Sequence, residues 1–119
     1  MANDYDVEAR DAMLNALGAL CTRVALHTGD PGAANSATNE VVGGTYARQA
    51  VTWAAAGSGT MASSNQPVFN VPAGTTVAWA SFWNTAGTKR YVKKDITNEV
   101  FGADGTYTLT DADFDLNTA

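Results

Sequence analysis

The stretch Thr75–Trp83 constrains the fold more than any other part of the chain. Val77, Trp79, Ser81 and Trp83 fall on one side of an extended segment, and Ala78, Ala80 and Phe82 on the other. Both sides are largely apolar, so this strand must be covered from two directions, as a central strand is. Pro72-Ala73-Gly74 turns the chain before it, and Asn84-Thr85-Ala86-Gly87 reads as a hairpin turn after it.

Shorter alternating segments supply its neighbours. Thr22–His27 places Val24 and Leu26 on one face. Tyr46–Trp53 alternates Ala47, Gln49, Val51 and Trp53 with Tyr46, Arg48, Ala50 and Thr52. Pro67–Val71, Lys89–Ile96, Gly105–Leu109 and Ala112–Leu116 are further strand candidates, separated by Gly, Pro and Asn turn signals. Two segments read as loops: Gly32–Gly44, small and polar, which opens at the Asp30-Pro31-Gly32 turn, and the Ala/Gly/Ser-rich Ala54–Ser64.

Helical periodicity is confined to the start of the chain. A helix is expected over about residues 4–17, capped by Asn3 or Asp4, with Asp6 and Glu8 in its first turn and Gly18 as its C-terminal stop. Ala9, Met13, Leu17 and Leu20 form an apolar stripe, which covers a sheet face or edge; the alternative is an arm packed on a neighbouring subunit. At 119 residues, the chain fits one domain, residues 1–119. The expected architecture is mainly β: an antiparallel sandwich or small barrel of six to seven strands with one N-terminal helix. Its core is predicted from Val24, Leu26, Val51, Trp53, Val77, Trp79, Phe82 and Phe114.

The chemistry-bearing residues are sparse. The net charge of −5 leaves no broad basic face for phosphates, so nucleic acid is not an expected partner. The acidic N-terminus lacks a signal peptide's apolar core, and no run approaches the roughly 20 apolar residues of a membrane helix. Synthesis in a cytoplasm and no membrane partner are the expectations. Cys21, the lone cysteine, reads as a small buried hydrophobe rather than a reactive thiol. His27, the only histidine, sits in an alternating strand and reads as exposed or hydrogen-bonded rather than catalytic. No serine or cysteine has an evident paired base, Gly57-Ser58-Gly59 lacks the spacing of a nucleophile elbow, and no Gly-rich loop carries a phosphate-binding lysine. Asp111, Asp113 and Asp115 match the opening of a calcium loop, but Leu116 stands where glycine is needed and no bidentate glutamate follows, so they read as a solvated acidic edge. The expectation is no enzyme, no catalytic residue, no cofactor and no metal.

Lys89, Arg90, Lys93 and Lys94 hold four of the seven basic residues within six positions. They are either a solvated face or a docking patch for an acidic neighbour, and Asp111, Asp113 and Asp115, of this copy or another, would be such a neighbour. These seven residues are the candidate partner contacts. Trp53, Trp79, Trp83 and Tyr91 could make an aromatic platform, although strand alternation assigns most of them to the core.

Three stretches carry a family resemblance: Asp11–Leu17; Val24–Gly32 with Asn39-Glu40-Val41 and Gly43–Trp53; and Val71–Val77 with Phe82-Trp83. They resemble small structural proteins of tailed phages and prophages, described as tail-fibre-like, minor tail or head-decoration proteins. The resemblance covers roughly the first three quarters of the chain, and from Lys89 onward it lapses. It implies a non-catalytic part of the virion, made in the bacterial host cytoplasm, whose partners are the major capsid protein or tail proteins and further copies of itself. Within the long middle motif, Tyr46 and Arg48 share a face and could hold the preceding loop, with Glu40 as partner of Arg48. The chain has no coiled coil, collagen-like repeat or solenoid for reach, which favours head-surface decoration. The alternative is a minor tail or tail-fibre-associated protein, with a receptor- or glycan-binding role.

Overall fold

The computed structural model describes residues 4–110 and 112–117. One helix, α1 (Val7–Leu20), precedes eight strands: β1 (Arg23–His27), β2 (Gln49–Ala50), β3 (Thr60–Ala62), β4 (Val68–Val71), β5 (Thr75–Trp83), β6 (Arg90–Phe101), β7 (Gly105–Thr108) and β8 (Asp113–Asp115). All pairings are antiparallel, and the sheets stack as a sandwich without closing into a barrel.

β5 is the central strand its two apolar faces require. It pairs with β1 on one side and β6 on the other, in a four-stranded sheet of order β2-β1-β5-β6. Two smaller sheets, β3-β8 and β4-β7, complete the fold. Val24, Leu26, Ala80 and Phe82 share one face of the main sheet by register and alternation. Phe82 meets Phe114 of β8 edge-to-face at 5.0 Å, and Trp53 stacks on Phe114 at 4.6 Å, so aromatic rings tie the two layers together. Val24, Leu26, Val51, Val77, Phe82 and Phe114 are buried as predicted, with Leu14, Met61, Phe69 and Leu109 beside them. Trp53 is partly buried against this core. Trp79 is only partly buried and does not belong to it.

Several sequence expectations shift. The helix starts and ends three residues later than expected, and its N-cap is Asp6, which makes no side-chain capping bond. Asn3 lies outside the described residues. Gly18 does not stop the helix. It is buried inside the last turn, where an ideal Cβ would stand 3.0 Å from Met61 Cε and 3.2 Å from Trp53 Cδ1, so glycine lets the helix approach the second layer. The helix therefore docks through Leu14 and Gly18, with Leu17 partly buried, and leaves the Met13 and Leu20 end of the expected stripe exposed. Asp11 and Asn15 fasten it by accepting the backbone N–H groups of Gly59 and Ala56 at 2.8 and 2.9 Å.

The Tyr46–Trp53 strand shrinks to the two residues of β2, because Asn65 and Ser64 bond Thr52 and draw the chain out of the sheet toward β3. The Ala54–Ser64 loop contains β3, whose Met61 is buried opposite Phe114. β6 runs five residues beyond its predicted end, and β3, formed inside a stretch read as a loop, brings the strand count to eight instead of six or seven.

Candidate functional site

The second face of the main sheet carries Ala25, His27, Trp79, Ser81 and Trp83. The segment from Thr28 to Arg48 lies against it, and polar contacts hold it there.

Glu40 is the first anchor. Arg48 clamps its carboxylate with two hydrogen bonds, at 2.8 and 3.0 Å, and Tyr46 donates its hydroxyl to the same group at 2.9 Å. Tyr46 Oη in turn accepts the Leu26 backbone N–H at 2.9 Å, and its ring stacks on Phe69. Burial would raise the Glu40 pKa, but the bonds from Arg48 and Tyr46 outweigh it and hold the carboxyl below its usual value. The Arg48 guanidinium lies 4.1 Å over the Trp83 ring. The sequence expectation that Tyr46, Arg48 and Glu40 secure the loop is met in full.

The basic stretch supplies the second anchor. Arg90 donates to the carbonyls of Gly32, Ala33 and Ser36 at 2.6–2.9 Å, and its backbone N–H is capped by Asn35 Oδ1 at 2.9 Å. Gly32 holds this bend with φ +90°. Lys93 pairs with Asp30 at 2.8 Å and reaches the Gly32 carbonyl at 3.1 Å; its hydrogen bond keeps the Asp30 carboxyl below its usual value. On the other face of the sheet, Lys94 pairs with Asp113. Lys89 is exposed on the hairpin turn, and Asp115 is exposed on β8, where it accepts the Asn117 N–H. Asp111 lies outside the described residues. The fold thus joins Lys94 to Asp113 within one chain and directs Arg90 and Lys93 to the loop.

The third anchor is buried and was not legible in the sequence. His27 and Ser81 are both fully buried, with His27 Nε2 2.6 Å from Ser81 Oγ. His27 Nδ1 lies 3.0 Å from the Thr38 carbonyl, which can only accept, so Nδ1 carries the hydrogen and Nε2 accepts from the Ser81 hydroxyl. Trp83 Nε1 completes the chain by donating to Ser81 Oγ at 2.6 Å. A serine with a paired imidazole thus exists, although the two are 54 positions apart and no local motif announces them. The pair is built for packing rather than attack: Ser81 Oγ is already engaged twice, the orienting group is a backbone carbonyl, and no substrate can reach a fully buried hydroxyl.

Cys21 is fully buried and its thiol is pushed up to about 12 by burial, which makes it inert at neutral pH. The aromatic platform is not assembled: Trp53 lies between Phe82 and Phe114, whereas Trp83, 2% exposed, lies under Arg48 on the opposite face. A groove of about 490 Å³ beside α1 is lined by residues such as Gly18, Val51, Trp53 and Met61 and by no titratable group.

The three polar anchors of this β-sandwich all fasten its own loop to the main sheet. The chain belongs to the Podophage GP4 fiber I protein gp80 family, whose model matches residues 19–93, and it is thus a structural protein of a phage particle. That segment runs from the end of α1 into β6 and contains all three anchors. No curated protein and no solved structure matches the chain.

Proposed function

We propose that this protein is a non-catalytic subunit of a phage fibre that works by assembling with other virion proteins. The family match over residues 19–93 carries this reading. It supports the fibre-associated alternative drawn from the sequence over head-surface decoration. The lack of extended repeats, which favoured the head, says little here, since a compact subunit can sit at the base or joint of a fibre whose reach other chains provide.

Locating the chain in purified particles tests this. Mass spectrometry should find it there, and gold-labelled antibody should mark the fibres. Label spread over the head surface would restore the decoration reading, and absence from the particle would overturn the structural role.

Partner contacts are proposed for the charged ends. Lys89 and Asp115 stand outward, while the Lys93–Asp30 and Lys94–Asp113 pairs lie exposed enough to be exchanged for pairs with a neighbour. Such contacts weaken with salt, since exposed charges are screened within about 8–10 Å at ordinary ionic strength. Occupancy of the particle by Lys93→Glu/Lys94→Glu should drop and lose its salt response; full occupancy with unchanged salt response would assign the contacts elsewhere.

A further inference from the structure

The buried imidazole and its partners are all satisfied only while the ring is neutral. In that state every hydrogen of the chain has one acceptor: Trp83 Nε1–H on Ser81 Oγ, the Ser81 hydroxyl on His27 Nε2, and His27 Nδ1–H on the Thr38 carbonyl. A proton added at Nε2 turns that acceptor into a donor. Ser81 Oγ then faces two donors, and its own hydrogen loses its partner in a site with no exposed surface, an arrangement costly to bury.

The Thr38 carbonyl favours the imidazolium, since Nδ1–H donates to it in either state, but the surrounding groups together do not rescue the charge. Glu40 faces it from the loop and favours it, but that carboxylate is already clamped by Arg48. Arg48, on the segment before β2, and Arg90, on β6, both oppose it. Burial is the largest influence and lowers the His27 pKa from its ordinary 6.5.

We propose that residues 28–41 form an acid-released latch: protonation of His27 at Nε2 takes the acceptor from the Ser81 hydroxyl and puts a charge into a site without exposed surface, so this segment lifts from the Trp79–Ser81–Trp83 face. The geometry makes the release local. The segment's backbone attachment to β1 is chiefly Val41 N–H to Leu26 O at 3.0 Å, while Thr28 N–H to Asn39 O at 2.8 Å closes the base of the segment on itself. Lifting hydrates the ring, which relieves the charge. The sign follows from linkage: the open form binds the proton more readily, so the latch is strongest above pH 6.5 and weakens as pH falls below it. Asp30 and Glu40 titrate below their ordinary 3.8 and 4.5, so the range between 6.5 and 4.5 belongs to His27. This device does not depend on the fibre reading.

The test is amide hydrogen exchange at Thr28 and Val41 from pH 7.5 to 5.0, corrected for intrinsic exchange, in wild type and in His27→Gln. In wild type the opening constant should rise by up to tenfold per pH unit below 6.5, the limit for uptake of one proton, while amides of β5 stay protected; His27→Gln should show no such rise. A wild-type response that is flat, or one that His27→Gln reproduces, overturns the latch. Should the variant fail to fold, ring resonances of His27 in the wild type decide the matter. Their titration must share its midpoint with the shifts of the 28–41 amides, and a ring that titrates while those amides stand still refutes the proposal.

Discussion

One face of the main sheet rests on rings and the other on a clamped loop. On the first, Phe82, Phe114, Trp53 and Met61 interlock without a hydrogen bond among their side chains, and the stabilisation is non-directional and proportional to apolar area. On the second, Trp83 and Ser81 are as deeply buried, yet what covers them is backbone held by Glu40, Arg48, Arg90, Lys93 and His27. Burial alone does not distinguish these faces; the response to pH and salt does. The ring face should behave as part of the global fold. The loop face should be able to open while the remainder stays folded, because directional contacts are lost one at a time.

The largest expected effect attacks the first face. Phe82→Ala removes a fully buried ring shared by both layers and should cost about 3–5 kcal/mol in denaturant unfolding, lowering all probes together. A cost below about 1.5 kcal/mol would mean that the layers are joined elsewhere.

Arg48→Met attacks the second face. It keeps the stem over Trp83 but leaves the Glu40 carboxylate, 19% exposed, without its main partner. About 1–3 kcal/mol is expected from an abandoned polar partner, and exchange protection at Thr28 and Val41 should fall more than protection in β5. Equal loss everywhere would erase the proposed difference between the faces.

Trp79→Ala is smaller. The ring is only partly buried, with Lys93 Nζ 5.8 Å from its centroid, so about 1–2 kcal/mol is expected from the lost apolar area. A thermal melt showing a loss as large as that for Phe82→Ala would return Trp79 to the core.

Val100→Thr should change least. Val100 is 75% exposed, and β6 is open on both faces from Thr97 to Val100. A shift within about 0.5 kcal/mol is expected for a substitution that touches nothing buried. A clear gain or loss of self-association, measured by sedimentation, would instead mark this strand end as a contact.

The comparison also separates what was readable in the chain from what was not. The apolar alternation of Thr75–Trp83 dictated a central strand, since no other placement covers both of its sides. The Tyr46-x-Arg48 spacing with Glu40 upstream was enough to predict the first anchor, because partners so close in sequence need only one turn between them. Helix docking was not readable in this way: Ala9, Met13, Leu17 and Leu20 make the better stripe, but contact followed Leu14 and Gly18, where the absence of a side chain permits close approach to Met61. β2 likewise lost most of its alternating length to hydrogen bonds from Ser64 and Asn65, which propensity does not register.

By itself the sequence determined a β-rich, layered structure with one helix, most of the apolar core, and a chain with no local catalytic motif, because periodicity and turn chemistry act over a few residues. Only the tertiary structure decided where the charges went. Arg90 meets carbonyls 54–58 positions away, Lys93 meets Asp30, and His27 finds Ser81 across paired strands. Such partners are chosen by strand order and register, which bring together residues that no spacing along the chain relates.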